Sequence, residues 1–189
     1  MIDTHAHLCD PQFDSDRHQV IEKAFEAGIK KIIEIADGPE EWSKALALCE
    51  SYPGQIFCAL GFHPHHAQDW NPGHADALKK MLHSPHVVAI GEIGLDYAKS
   101  TADPATQENT LIGMLNIANQ SGKPVALHCR EGNAAGRSAH EDLFRILKAN
   151  WKEGEEGDKK KRFRGVLHCF SGGAQEMREA LALGLALGV

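Results

Sequence analysis

Short apolar runs alternate with segments of helical periodicity along the whole chain, and this alternation constrains the fold more than any other feature. Residues 1–7, 31–36, 55–61, 87–90, 124–127 and 163–167 read as strands, and 185–189 as the start of a seventh. Between them, residues 14–27, 40–51, 75–83, 106–120, 139–149 and 175–183 carry apolar side chains at helical spacing, with Leu111, Met114, Leu115 and Ala118 on one face of the fourth. Strands separated by helices of this length pair in parallel through crossover helices. That leaves two architectures, an open doubly wound sheet or a closed (β/α) barrel. No Gly-x-Gly-x-x-Gly follows the first strand, which weakens the dinucleotide-binding form of the open sheet.

The polar residues decide between them. The first run is expected to be a buried strand, and in a strand alternate side chains share a face, so His5 and His7 point the same way and can hold one metal ion. His63 and His65, Glu92, His128 and His168 stand at the ends of later runs, so that five of the six strands deliver a ligand-type residue at their C-terminus. In a barrel those ends converge on one face, where active sites of that fold lie. Imidazoles with a carboxylate suit Zn²⁺, Mn²⁺ or Mg²⁺. Glu92 has two oxygens and can bridge a pair of ions, with His5 and His7 on one and His128 and His168 on the other. Two ions about 3.5–4 Å apart can activate a water and stabilise a leaving oxygen together, so the reaction expected is hydrolysis.

Composition narrows the setting. A chain of 189 residues with no Pro/Ser-rich linker reads as a single domain over 1–189. The formal charge of −6 argues against a non-specific nucleic-acid binder held by a broad basic surface, and leaves open an enzyme whose metal ions meet phosphates. Five cysteines without zinc-finger spacing point to a reduced, cytoplasmic setting. There is no leader, and no apolar run approaches about 18 residues, so a soluble protein is expected. Cys129 and Cys169, next to ligand histidines, are expected to face outward against helices. His18, His74, His83, His86 and His140 are expected to be solvated. Asp96 reads equally as a partner for a ligand histidine or as a turn residue. The basic run Lys159-Lys160-Lys161-Arg162 precedes the sixth strand and is expected to form a solvated loop on the face opposite the site.

Asp3-Thr4-His5-Ala6-His7, Gly61-Phe62-His63-Pro64-His65, Gly91-Glu92-Ile93-Gly94-Leu95-Asp96, His128-Cys129-Arg130 and His168-Cys169-Phe170-Ser171-Gly172 resemble, in order and approximate spacing, the motifs of the TatD family of metal-dependent deoxyribonucleases. Gln107 also matches the family pattern. The resemblance implies a TIM-type barrel of the amidohydrolase superfamily and two-metal hydrolysis of DNA from the 3′ end. It implies His5 and His7 on one metal, Glu92 bridging, His128 and His168 on the second, and His63 and His65 beside the scissile phosphate as catalytic residues. Arg130 and Ser171 are the candidates for phosphate contact. The family's further strand-end aspartate, which binds the first metal and is the expected general base, has no counterpart before Val189. A barrel of this kind needs roughly 250 residues, so the chain is expected to form an incomplete one, with about six βα units and the start of a seventh strand. Exposed strand edges that invite self-association, a weaker first metal and low or absent nuclease activity of the isolated chain are expected with it. The alternatives are a hydrolase of another ester, such as D-aminoacyl-tRNA, on the same site, a histidinol-phosphatase-type barrel, or a non-catalytic metal-binding remnant.

Overall fold

A computed structural model describes residues 1–134, 136–152 and 163–189. In chain order they form β1 (Ile2–Ala6), α1 (Arg17–Glu26), β2 (Lys31–Ala36), α2 (Pro39–Ser51), β3 (Ile56–Leu60), α3 (Pro72–Met81), β4 (Val87–Asp96), α4 (Pro104–Ser121), β5 (Val125–Arg130), α5 (Ala139–Asn150), β6 (Gly165–Leu167), α6 (Ala174–Ala182) and β7 (Leu185–Leu187). Two 3₁₀ turns, Pro11–Phe13 and Pro64–Asp69, follow β1 and β3. The seven strands pair in parallel, each with its neighbour in sequence, in the order β1 to β7. The architecture is a partial TIM-type barrel: a curled sheet with its helices on the outside. The basic run 159–162 lies outside the described residues.

Three helices begin earlier than periodicity predicts, and for one reason. Pro39, Pro72 and Pro104 each occupy the first turn of a helix, where a missing N–H costs nothing and the ring's fixed φ suits the helix. Asn71 and Asp103 cap two of them by accepting from His74 N and Thr106 N. Inward faces of the helices, including Trp42, Leu78, Leu111, Met114, Leu143 and Phe144, pack on strand residues such as Ile32, Leu60, Ile90 and Leu127. Burial of this continuous apolar layer, at about 25 cal/mol per Å², holds the strand ends in place.

β4 is the largest departure from the expected boundaries. The segment Gly91 to Asp96 reads as a loop but continues the strand, shifting register between Ile90 and Ile93 and pairing Asp96 with Arg130. Gly94 permits it, because a Cβ there would come 1.9 Å from the carbonyl oxygen of His128. The first strand also differs from expectation. β1 is exposed along Ile2 to Thr4, since among the described residues it pairs with β2 alone and nothing covers its other edge. Cys169 is exposed at positive φ in the turn after β6, not packed outward like Cys129, because the strand has already ended at Leu167. His140 is buried rather than solvated, its Nδ1 2.8 Å from Glu131 Oε1, since it lies on the first turn of α5 where the Glu131 carboxylate also accepts the backbone N–H groups of Ala139 and His140. No described helix is long and apolar enough to cross a membrane.

Candidate metal centre

The sheet curls far enough to bring β6 back over β1. Five strand steps in a flat sheet would separate them by about 24 Å. Yet the His168 and His5 rings stack with centroids 3.4 Å apart and planes within 6°. His63, after β3, likewise meets His128 of β5 with ring centroids 4.6 Å apart. The imidazoles therefore gather at one end of the curl, where the strands' C-termini converge.

Two compact donor groups lie there, His5 with His7 and Glu92, and His63 with Glu92 and His128, each with its ligand atoms within 4.8 Å of one another. Glu92 belongs to both. Its Oε2 lies 3.3 Å from His5 Nε2 and its Oε1 3.1 Å from His128 Nδ1. Burial pushes the Glu92 carboxyl up, but hydrogen bonds with His128 and His5 outweigh it, and the net effect holds the group ionised well below the usual carboxylate range. Burial and the facing His5 imidazole lower His7 and His168, favouring the neutral form that offers a lone pair to a metal. His168 is thus placed against His5 and not within the Glu92–His128 group. The donor set, nitrogen-rich with a shared ionised carboxylate, fits divalent cations.

His63 differs from the other imidazoles. Its Nδ1 accepts the backbone N–H of His65 at 3.2 Å, capping the 3₁₀ turn, which leaves the ring proton on Nε2. Burial and the adjacent His128 depress it to about 3. It is a neutral hydrogen-bond donor facing the site. His65 is less enclosed, its side chain 40% exposed and its Nε2 3.0 Å from Asp96 Oδ2.

Asp96 is the hub of the second group. Its Oδ2 accepts from His128 Nε2 at 3.1 Å as well as from His65, and Arg130 NH1 stands 3.6 Å away. Its Oδ1 accepts the backbone N–H groups of Ala98 and Lys99. Burial raises its carboxyl, these donors more than compensate, and it settles at about 2. His128 thus spans two carboxylates, Nε2 to Asp96 and Nδ1 to Glu92, and with Nε2–H kept on Asp96 its Nδ1 would offer its lone pair to an ion at Glu92, the arrangement in which a carboxylate orients a metal-binding histidine. Arg130 projects half-exposed beside this group, and Ser171 is exposed in the loop after β6.

Gln107 holds the hub from behind. Buried on α4, it accepts the Asp96 N–H at 2.8 Å and donates to the carbonyls of Asp96 (3.1 Å) and Ala102 (2.8 Å). Replacement by leucine leaves those backbone groups without a partner, at about 1–3 kcal/mol for each buried group. Gln107→Leu is expected to lose on the order of 3 kcal/mol of stability in urea denaturation, and to weaken binding of the His128-linked ion about 10–100-fold in a metal titration.

Two residues at this end carry no sequence-based expectation. Glu34 is a fully buried acid in the apolar run of β2, and its carboxylate accepts the N–H groups of Leu8 (2.7 Å) and Cys9 (2.8 Å), fixing the chain that leaves His7. Burial raises it to about 7 against the opposing pull of those amides. The native state therefore keeps a proton that the unfolded chain sheds above its ordinary value near 4.5, so this group's contribution falls as pH rises from 4.5 to 7. The decline is about 3 kcal/mol, and a series of urea curves across that window should show it flattened in Glu34→Gln. Asp37, the residue after β2, has its Oδ2 3.9 Å from His7 Nδ1. Burial and the nearby Glu92, Glu41 and Glu34 carboxylates push it up to about 8. Both were findable, Glu34 as a charge inside a buried run and Asp37 as one more polar residue at a strand's C-terminus.

The model of TatD-related DNases matches residues 2–189. The chain is 38% identical over its full length to the 3'-5' ssDNA/RNA exonuclease TatD of Edwardsiella piscicida, covering 67% of that protein. It is 36% identical to the same-named protein of Musicola paradisiaca, covering 66%. Among solved structures, the TatD homologue YjjV from Escherichia coli K12 superposes with a TM-score of 0.81 at 32% identity, over 100% of this chain and 67% of that one. A TatD family hydrolase from Entamoeba histolytica gives 0.81 at 27% identity, over 100% and 64%. The chain spans about two thirds of the length of these relatives. The match runs through every strand that carries a histidine or acid to the site, and the chain belongs to the family of TatD-related DNases.

Proposed function

We propose that this chain is the metal-binding part of a hydrolase that cleaves phosphodiesters of single-stranded nucleic acid from the 3′ end. Residues 1–189 act as one domain in this reading. The observation that carries it is Glu92, an ionised carboxylate shared by two donor groups at the convergent strand ends. The curated relatives named as 3'-5' exonucleases of single-stranded DNA and RNA support the substrate class.

His5, His7 and Glu92 would hold one divalent ion, and Glu92 and His128 the other. His168, stacked on His5, is the further imidazole at this end that the second ion would draw on. Such an ion pair supplies Lewis acidity and an activated water to phosphodiester cleavage. The protein's own groups do the rest. His63, with its proton on Nε2, donates to a phosphate oxygen. His65 is held by Asp96 on the open side, where it and Arg130 meet the next phosphate, with Ser171 at the rim. Asp96 and Gln107 keep His128 in register. Among the described residues no strand pairs with the outer edges of β1 and β7, and a further strand would pair there.

The test is digestion of 5′-labelled single-stranded DNA and RNA by the 189-residue chain with Mg²⁺, Mn²⁺ or Zn²⁺, with and without chelator. The expected product is a ladder shortening from the 3′ end that chelation abolishes. Turnover of this chain is expected to be low; no divalent ion bound in a metal titration, or cleavage that survives the chelator, would sink the reading.

A further inference from the structure

Among the described residues, one buried side-chain polar atom has no hydrogen-bond partner, Oδ1 of Asp37. The backbone of that residue is fully engaged. Its N–H donates to Glu41 Oε2 at 3.0 Å, and its carbonyl accepts the N–H of His63 at 2.8 Å, so the loop after β2 and the loop after β3 hold each other in place. The carboxylate is the part left over.

Its surroundings are acidic. Glu92, Glu41 and Glu34 all lie close enough for their charges to act on it. The nearest cation-forming group is His7, whose Nδ1 is 3.9 Å from Oδ2, beyond hydrogen-bond reach. The same distance has a different meaning around an ion. Two donors each 2.0–2.2 Å from one metal, at a tetrahedral angle, stand about 3.4 Å apart. A half-buried carboxylate with one enclosed, unmet oxygen, three acidic neighbours and an imidazole 3.9 Å from its other oxygen is what a divalent cation would satisfy.

We propose that Asp37 is a ligand of the ion held by His5 and His7, so that this centre draws a carboxylate from the end of β2 as well as from β4. The inference rests on the two-ion reading given above. It gives the His5–His7 ion two anionic ligands within the 189 residues.

Mn²⁺ binding to the wild-type chain, measured by calorimetry, tests it against Asp37→Asn, His7→Ala and His128→Ala. Wild type is expected to bind two ions, of which His7→Ala loses one. Asp37→Asn should weaken that same ion at least about tenfold, leave the His128-dependent ion unchanged, and add nothing in the His7→Ala background. Direct ligation is separated from mere positioning by Asp37→Cys loaded with Co²⁺. A ligating thiolate gives a near-ultraviolet sulfur-to-cobalt charge-transfer band that saturates at one equivalent, and wild type sets the background from the native cysteines. Unchanged Mn²⁺ affinities in a folded Asp37→Asn chain would overturn the proposal, as would Co²⁺ bound to Asp37→Cys without the band. If wild type binds no ion that His7→Ala removes, the two-ion reading itself fails and takes the proposal with it.

Discussion

Replacing Glu92 with glutamine is expected to empty both metal positions and to lower turnover about 10³-fold, the equivalent of about 4 kcal/mol of transition-state stabilisation. The reason is its place in the geometry. Oε2 faces His5 and Oε1 faces His128, so one carboxylate serves both donor groups, and the amide of glutamine presents an N–H₂ to one imidazole while removing the negative charge from both. His7→Ala, by contrast, should cost a single ion. Metal analysis of the purified variants, followed by digestion of labelled single strands, separates the cases. A Glu92→Gln chain that keeps one ion at wild-type affinity would show that the carboxylate does not bridge.

The second large effect concerns the metal-free chain in acid. His63 is depressed to about 3 by burial and its neighbour His128, whereas an unfolded histidine titrates near 6.5. Below pH 6.5 the unfolded chain takes up a proton that the native chain refuses, so stability falls as the pH drops toward 3. The full span amounts to about 5 kcal/mol. Glu92 and Asp96 act in the same direction but lower down. Their native values are depressed, so what they contribute is present above about pH 4.5 and is lost as protonation begins below it. Glu34 and Asp37, raised to about 7 and about 8, and the lowered His7 and His168 also titrate across this range, so the effect is read as a difference: in chelator the wild-type urea midpoint should fall relative to that of His63→Asn as the pH drops from 6.5 to 4.5. Parallel curves for the two proteins would show that His63 is not held neutral.

How much of this was legible in the residues depended on which physical signal each carried. The seven strands and six helices follow from alternating apolar periodicity, and the ligand positions from the rule that parallel strands present function at their C-terminal ends. Boundaries failed where a residue has two meanings. Pro72 and Pro104 precede the apolar periodicity at 75–83 and 106–120, yet each is well placed in the first turn of a helix. Gly91 and Gly94 read as a loop, yet they are what lets β4 run close against its neighbours through to Asp96. Asp37 stands in Asp37-Gly38-Pro39, a sequence with strong turn chemistry, and local turn preference says nothing about which oxygen is left unmet once the chain has folded. The pairing of His63 with His128, and of His168 with His5, is a property of curvature that no local pattern encodes.

The contact between His5 and His168 also bears on the order of events in folding. Its two rings come from the first and sixth strands, so they can meet only after every intervening strand has been added and the sheet has acquired its bend. An ion seated beside them would act as a clasp fastened late, one that reports on the closing of the curve rather than on any single βα unit. Hydrogen exchange at β1 and β6 should then slow together on metal binding, while α4 and β4 in the interior of the sheet change little.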